Sequence, residues 1–300
     1  MFLFNQYDEV AAYEKETYST AICQGELATD NLCVVNENVM NEAFQSEDEF
    51  HAIALFENDE YKIEYAENVH EKIYPASTTK ILTAYIALKY GNLTDIVTVG
   101  KNAMNVPADS SKAWLKQGDQ LTLEALLYGL MLPSGNDAAV AIAEYISGSV
   151  EEFAILMNEE AKKIGATNSN FVTPHGYQDE NHYTTAYDLY LIFNQCIKND
   201  TFLKIISSYA YEADIKETSG NTREVVWRQS NQYVIGVQET PEGVDVVGGK
   251  TGTTDEAGAC LIQYVKNAEE DIPYIAIIMG AETRPILYKN MTELISTINR

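Results

Sequence analysis

Three short clusters in this chain carry residue types that could do chemistry together. Ser77-Thr-Thr-Lys80 sets a hydroxyl and an amine three residues apart, just after Pro75-Ala76, where a helical pattern begins. Residues at that spacing share one helix face, and the start of a helix favours negative charge developing there. A serine becomes nucleophilic when a base takes its proton, which a lysine can do if its own proton affinity is lowered. Ser134-Gly-Asn136, after Pro133, offers a second hydroxyl and an amide for relaying a proton and binding a substrate amide. Gly248-Gly-Lys250-Thr-Gly252-Thr253 closes a β-prone run; alternation puts Lys250 and Gly252 on one face and Thr251 on the other. With so little side chain on that strip, another backbone can dock against it as an added strand.

Each cluster also has a plain structural reading. A serine three before a lysine recurs by chance about once in a chain of this length and reads as a helix cap. Ser-Gly-Asn reads as an interhelical turn, and the glycine-lysine run as a bulged edge strand. Their order decides otherwise: helix start, interhelical turn, late strand. One shared site accounts for all three more economically than three separate coincidences.

The elements that must position these clusters are legible from hydrophobic period. Residues 51–56 and 61–65 are short β-prone runs that suggest a hairpin, and Ile81, Leu82, Tyr85, Ile86 and Leu88 fit a helix ending at Gly91. Residues 121–131, 138–146, 151–164 and 185–197 continue as helices. Strand patterns return at 244–249, 259–265 and 274–279, and a last helical stretch covers 287–298. Strands at both ends and helices between them predict an α+β fold: an antiparallel sheet built from N- and C-terminal strands, flanked by helices, with a central helical lobe. The expected division is an N-terminal extension over 1–49 and one catalytic unit over 50–300. Within it, a sheet lobe takes about 50–76 and 220–300, and a helical lobe about 77–219.

Composition narrows the partners. The chain has 300 residues, and 20 Lys+Arg against 45 Asp+Glu give a net charge of −25. Such a surface repels phosphate backbones and anionic lipid, which argues against nucleic acid and favours a monomer. The nearly apolar stretches 81–88, 121–132 and 272–279 fall short of the roughly 20 residues a membrane span needs. The first residues, Met-Phe-Leu-Phe-Asn-Gln-Tyr-Asp-Glu, lack a basic n-region, so no export signal is visible. Cys196 and Cys260 read as buried thiols, whereas spacing leaves a Cys23–Cys33 bridge open. His175 and His182, flanking Asp179 and Glu180, read as loop polars rather than zinc ligands.

The combination of S-x-x-K with a Ser-x-Asn turn and Lys-Thr-Gly resembles the set shared by class A β-lactamases and penicillin-binding proteins. More of the chain follows the same pattern: Pro75-Ala-Ser-Thr-Thr-Lys-Ile-Leu-Thr-Ala84, Gly118-Asp119, Leu126-Leu-Tyr-Gly129, Pro133-Ser-Gly-Asn-Asp-Ala-Ala139, Gly176, Thr185-Ala-Tyr-Asp188 and Gly249-Lys-Thr-Gly-Thr253. Over residues 50–298 it is similar to the serine-type D-Ala-D-Ala carboxypeptidases, the low-molecular-weight penicillin-binding proteins.

The resemblance implies a β-lactamase/transpeptidase-like fold and roles for particular residues. Ser77 would attack the carbonyl between two D-alanines at the end of a peptidoglycan stem peptide, with Lys80 as its base and Lys250 lowering the proton affinity of Lys80. Ser134 would relay protons, and Asn136 would hold Lys80 and the substrate amide. Lys250 and Thr251 would orient the terminal carboxylate, and the N–H groups of Ser77 and Thr253, beside Gly252, would bind the oxyanion. β-Lactams would acylate Ser77. Neither metal nor cofactor is implied, and the location would be extracytoplasmic, an export signal having been removed. Relatives also carry a carboxylate-gripping arginine. Arg284 is the candidate here, three residues before Leu287, where the family's spacing puts the position. Many relatives add a C-terminal β-domain and an amphipathic membrane anchor; with the sequence stopping at Arg300, both are expected to be absent or removed. A class A β-lactamase would carry S-D-N and an E-x-x-L-N stretch, where this chain has Ser-Gly-Asn and no such stretch. A non-hydrolytic β-lactam sensor would keep the serine without turnover.

Overall fold

The computed structural model describes residues 32–299. Five strands form one antiparallel sheet in the order β2-β1-β9-β8-β7: β1 (Ala52–Glu57), β2 (Ile63–Glu67), β7 (Val244–Thr254), β8 (Gly258–Asn267) and β9 (Pro273–Ala281). The N-terminal hairpin therefore zips onto the C-terminal strands, as their patterns predicted. All six residues of β1 are buried. Alternation sends Ile53 and Leu55 to one face and Ala52, Ala54 and Phe56 to the other, so each face carries its own apolar cluster. The first face is covered by the last helix (Arg284–Ser296) through Leu287, Met291, Leu294 and Ile295. Burying each of these stabilises the fold by about 2 kcal/mol.

The opposite face packs on the helical lobe. Its helices are α1 (Lys80–Tyr90), α2 (Leu123–Met131), α3 (Asn136–Ser147), α4 (Val150–Ile164), α5 (Ala186–Cys196) and α6 (Asp200–Ser207); the last helix is α7. Helix α1 is buried along most of its length and meets α2, α3, α4 and α5, which makes it the axis of the lobe.

Two features depart from the expected pattern. A second antiparallel sheet of four strands, β3-β4-β5-β6, joins Ile96–Thr98, Gln120–Thr122, Ala210–Lys216 and Thr222–Arg228. It draws 222–228, expected in the sheet lobe, into pairing with strands of the helical lobe. Leu121, expected in a helix, lies in β4, because Thr122 caps α2 by accepting from the N–H of Ala125 at 3.1 Å. At the other end, residues 32–49, part of the stretch expected to be an extension or cap, lie against the sheet and its covering helix. Val39 bridges to Ala66, Phe44 meets Tyr65 edge-on at 5.1 Å, and Asp48 Oδ2 accepts from Asn290 Nδ2 at 2.8 Å. Cys33, Cys196 and Cys260 are buried free thiols; Cys23, the other half of the possible bridge, lies outside the described residues. No helix among the described residues is long and apolar enough to cross a membrane.

Candidate active site

The three clusters converge where the edge strand β7 meets the start of α1. A single 3₁₀ turn, Ala76–Thr79, runs straight into α1. Side chains at i and i+3 eclipse in such a turn, so Ser77 stands over Lys80, with Nζ 2.9 Å from the serine Oγ. Ala76 takes φ +47°, and Ser134, in the turn between α2 and α3, takes φ +61°. Two non-glycine residues in the left-handed region each cost about 1–3 kcal/mol, strain that the surrounding packing must hold. Strand β7 lies close against the serine turn. A side-chain Cβ at Gly252 would stand 3.1 Å from both the Pro75 carbonyl oxygen and the Ser77 nitrogen, so glycine permits the approach.

Lys80 is fully buried and makes three contacts: Ser77 Oγ, Asn136 Oδ1 at 2.7 Å and the backbone oxygen of His175 at 3.0 Å. Two of these partners can only accept. A neutral amine has two N–H bonds and one lone pair, so the two carbonyl oxygens take the hydrogens and leave the lone pair facing Ser77. Burial first, and the like charge of Lys250 second, hold Lys80 well below the ordinary lysine range, against a weaker opposing pull from Asp137. Lys250 is equally buried. Its Nζ donates to Ser134 Oγ at 2.9 Å and to the Thr251 carbonyl at 2.8 Å, and burial, then Arg284, bring it down to about 7. Asp137 anchors the Ser-Gly-Asn turn by accepting from the backbone N–H groups of Ala113, Leu115 and Ala138.

Ser77 opens into a cleft of about 380 Å³ shared with Ser110, Ser111, Asn136, His175, Tyr177, Thr253 and Arg284. Asp109, Asp255 and Glu256 line the same cleft. A larger hollow of about 750 Å³ lies between 40–50 and the β1–β2 edge, and no motif residue lines it. Ser77, Lys80 and Asn136 thus form one hydroxyl–amine unit and Ser134 and Lys250 a second, Thr253 reaches the cleft and Gly252 backs it. Thr251 turns its hydroxyl to Ser230 Oγ at 3.0 Å. Arg284, the first residue of α7, stands in the cleft wall, whereas Leu287 is buried under the sheet and cannot reach it. Sequence reasoning missed the His175 carbonyl and the Ser110-Ser111 wall. A backbone oxygen has no residue-type signature, and the left-handed Gly176 (φ +76°) beside it is the nearest sequence signal.

Comparison with known proteins agrees with this geometry. The family model described as D-alanyl-D-alanine carboxypeptidase matches residues 40–283. Among curated relatives, DacF of Bacillus subtilis is 35% identical over 76% of this chain and 57% of its own length. DacC of Escherichia coli is 36% identical over 76% and 56%. The chain therefore spans a little over half the length of these relatives. Among solved structures, the Streptomyces K15 DD-transpeptidase superposes with a TM-score of 0.75 at 28% identity, covering 84% of this chain and 98% of that one. Penicillin binding protein 5 from Haemophilus influenzae gives 0.71 at 31%, covering 85% and 71%. A family model matching more than half of the chain, and relatives above 30% identity covering three quarters of it, leave one assignment: the chain belongs to the D-alanyl-D-alanine carboxypeptidase family.

Proposed function

We propose that the protein removes the terminal D-Ala from peptidoglycan peptides ending in D-Ala-D-Ala, through an acyl-enzyme on Ser77. The observation that carries this reading is the Lys80 amine, with two hydrogens committed to carbonyls and its lone pair aimed at the serine. Lys80 takes the Ser77 proton as Oγ attacks the carbonyl between the two D-alanines. The N–H groups of Ser77 and Thr253 receive the developing oxyanion. The proton taken by Lys80 is relayed through Ser134, which Lys250 holds in place, to the departing D-Ala nitrogen; the C–N bond breaks, and an ester remains on Ser77. Water then attacks that ester, returns the proton to the serine and frees the shortened peptide. Lys250, Thr251 and Arg284 orient the substrate carboxylate, and Asn136 holds the substrate amide. A β-lactam presents the same groups but keeps its leaving amine tethered, so its adduct persists. The substrate places the work outside the cytoplasm, and a monomer contains every group used.

Incubation with penicillin should add one equivalent of drug mass at Ser77, stable over hours by intact mass spectrometry. A peptide ending in D-Ala-D-Ala should release D-Ala. An adduct without D-Ala release would indicate a binding module instead, and rapid loss of the adduct a β-lactamase.

Net charge makes a second prediction. A substrate ending in a carboxylate approaches a protein of charge −25 whose cleft rim carries Asp109, Asp255 and Glu256. Attraction must come from Lys250, Arg284 and the start of α1 at short range. Salt screens charges beyond about 8 Å at physiological strength, so it weakens the repulsion first. Raising salt should leave KM unchanged or lower it; a steep rise in KM would mean that an unidentified cationic field steers the substrate.

A further inference from the structure

His182 lies outside the cleft lining, yet its buried ring joins two segments that each touch Lys80. Nδ1 accepts from the backbone N–H groups of Val172 at 3.0 Å and Thr173 at 3.3 Å. Backbone nitrogens only donate, so Nδ1 carries no proton, and in the neutral ring the hydrogen sits on Nε2. Nε2 therefore donates to Thr79 Oγ1, 2.9 Å away, one residue before Lys80. Burial pushes the ring down to about 4, with Asp179 opposing and Lys80 assisting, so it stays neutral across the working range.

The bridged segment carries the His175 carbonyl. Thr83 Oγ1 also donates to the Pro174 carbonyl at 2.6 Å, which pins the segment from α1. At Gly176 a Cβ would fall 1.9 Å from the Ala76 carbonyl oxygen, so the segment sits in direct backbone contact with the serine turn. Thr83 and Gly176 hold its far end; its near end is held to the serine turn through the imidazole.

We propose that His182 is a positioning residue, tying 172–173 to Thr79 so that the His175 carbonyl takes one hydrogen of the Lys80 amine and the lone pair stays on Ser77. This rests on the reading of Ser77 and Lys80 given above. Without the tie, one N–H loses its acceptor, the amine keeps only Asn136 to orient it, and water gains access to it. Lys80 owes its low proton affinity first to burial, with Lys250 and Asp137 the charged groups facing it. Hydration therefore raises that affinity, and this outweighs the loss of one carbonyl acceptor.

The test compares wild type, His182→Ala, His182→Asn and Thr79→Val for penicillin acylation across pH, separating the acylation rate constant from the penicillin Kd. His182→Ala should lower the rate constant about tenfold or more, while Kd moves much less, as expected for misplaced catalytic groups. The acid limb of the rate should shift to higher pH. His182→Asn, which sets an amide oxygen where Nδ1 stood, should recover most of the rate. If His182→Ala fails to fold, Thr79→Val carries the test, since it removes only the acceptor of the Nε2 hydrogen and should shift the same limb. An unchanged rate and limb in every folded variant would overturn the proposal, as would an asparagine variant no better than alanine. A wild-type protein that penicillin does not acylate would instead overturn the reading of Ser77.

Discussion

Ser77→Ala should abolish both D-Ala release and penicillin labelling, lowering turnover by about 10⁴-fold or more, because a covalent route has no substitute for its nucleophile. Little else should change. The side chain removed is a half-buried hydroxyl whose partner is Lys80, and Lys80 keeps Asn136 and the His175 carbonyl. Losing one such hydrogen bond costs about 1 kcal/mol, which displaces Tm by only a few degrees in a chain of this size. The cleft walls formed by Thr253, Arg284 and Tyr177 are untouched, so the variant should still bind a D-Ala-D-Ala peptide non-covalently, with Kd near the wild-type KM. Calorimetric titration beside a D-Ala release assay separates the outcomes. Retained labelling would place the nucleophile elsewhere in the cleft, where Ser110 and Ser111 are the other serines.

What could be read from residues alone divides along physical lines. Side-chain chemistry at short spacing was legible: Ser77 and Lys80 are three apart, and any helical turn stacks them. Lys250 and Ser134 are 116 positions apart; order along the chain, matched to a familiar pattern, put both in one site but did not pair them, and in the structure they stand 2.9 Å apart. The α+β layout followed from period, since strands at 244–249, 259–265 and 274–279 left only an N-terminal hairpin to complete the sheet. The second sheet was hidden because β3 and β4 have three residues each, too few for alternation to register, and β5 and β6, though seven residues long, bury only Ala213, Ile215 and Trp227. Arg284 was obscured for a related reason. The residue that reaches the cleft is the one at the helix N-terminus, and four residues after Thr283 the side chain of Leu287 already turns under the sheet. The His175 carbonyl belongs to the backbone, which residue types do not describe. The histidines at 175 and 182 stood out only as polar residues in a loop. Their geometry gives one a carbonyl on Lys80 and the other a ring between two segments.

Lys80→Met should lower the acylation rate by about 10²- to 10⁴-fold, the range that general-base catalysis supplies. Methionine has nearly the length of lysine without its charge or donors, so the core position stays filled. It leaves Asn136 Oδ1 and the His175 carbonyl without their shared donor, and some stability should be lost with it. The pH dependence discriminates further. In the wild type, kcat/KM reports the free protein. Lys80 must lose its proton to act as base, so the rate climbs with pH through the proton affinity of Lys80, held well below the lysine range. Lys250 must keep its proton to hold the substrate carboxylate, so kcat/KM falls as pH rises past about 7. In kcat the descending limb should move to higher pH, because a bound carboxylate stabilises the Lys250 charge. Lys80→Met should erase the ascending limb and keep the descending one. A variant that lost rate but retained both limbs would assign the base to another group, and Lys250 acting through Ser134 is the one the geometry offers.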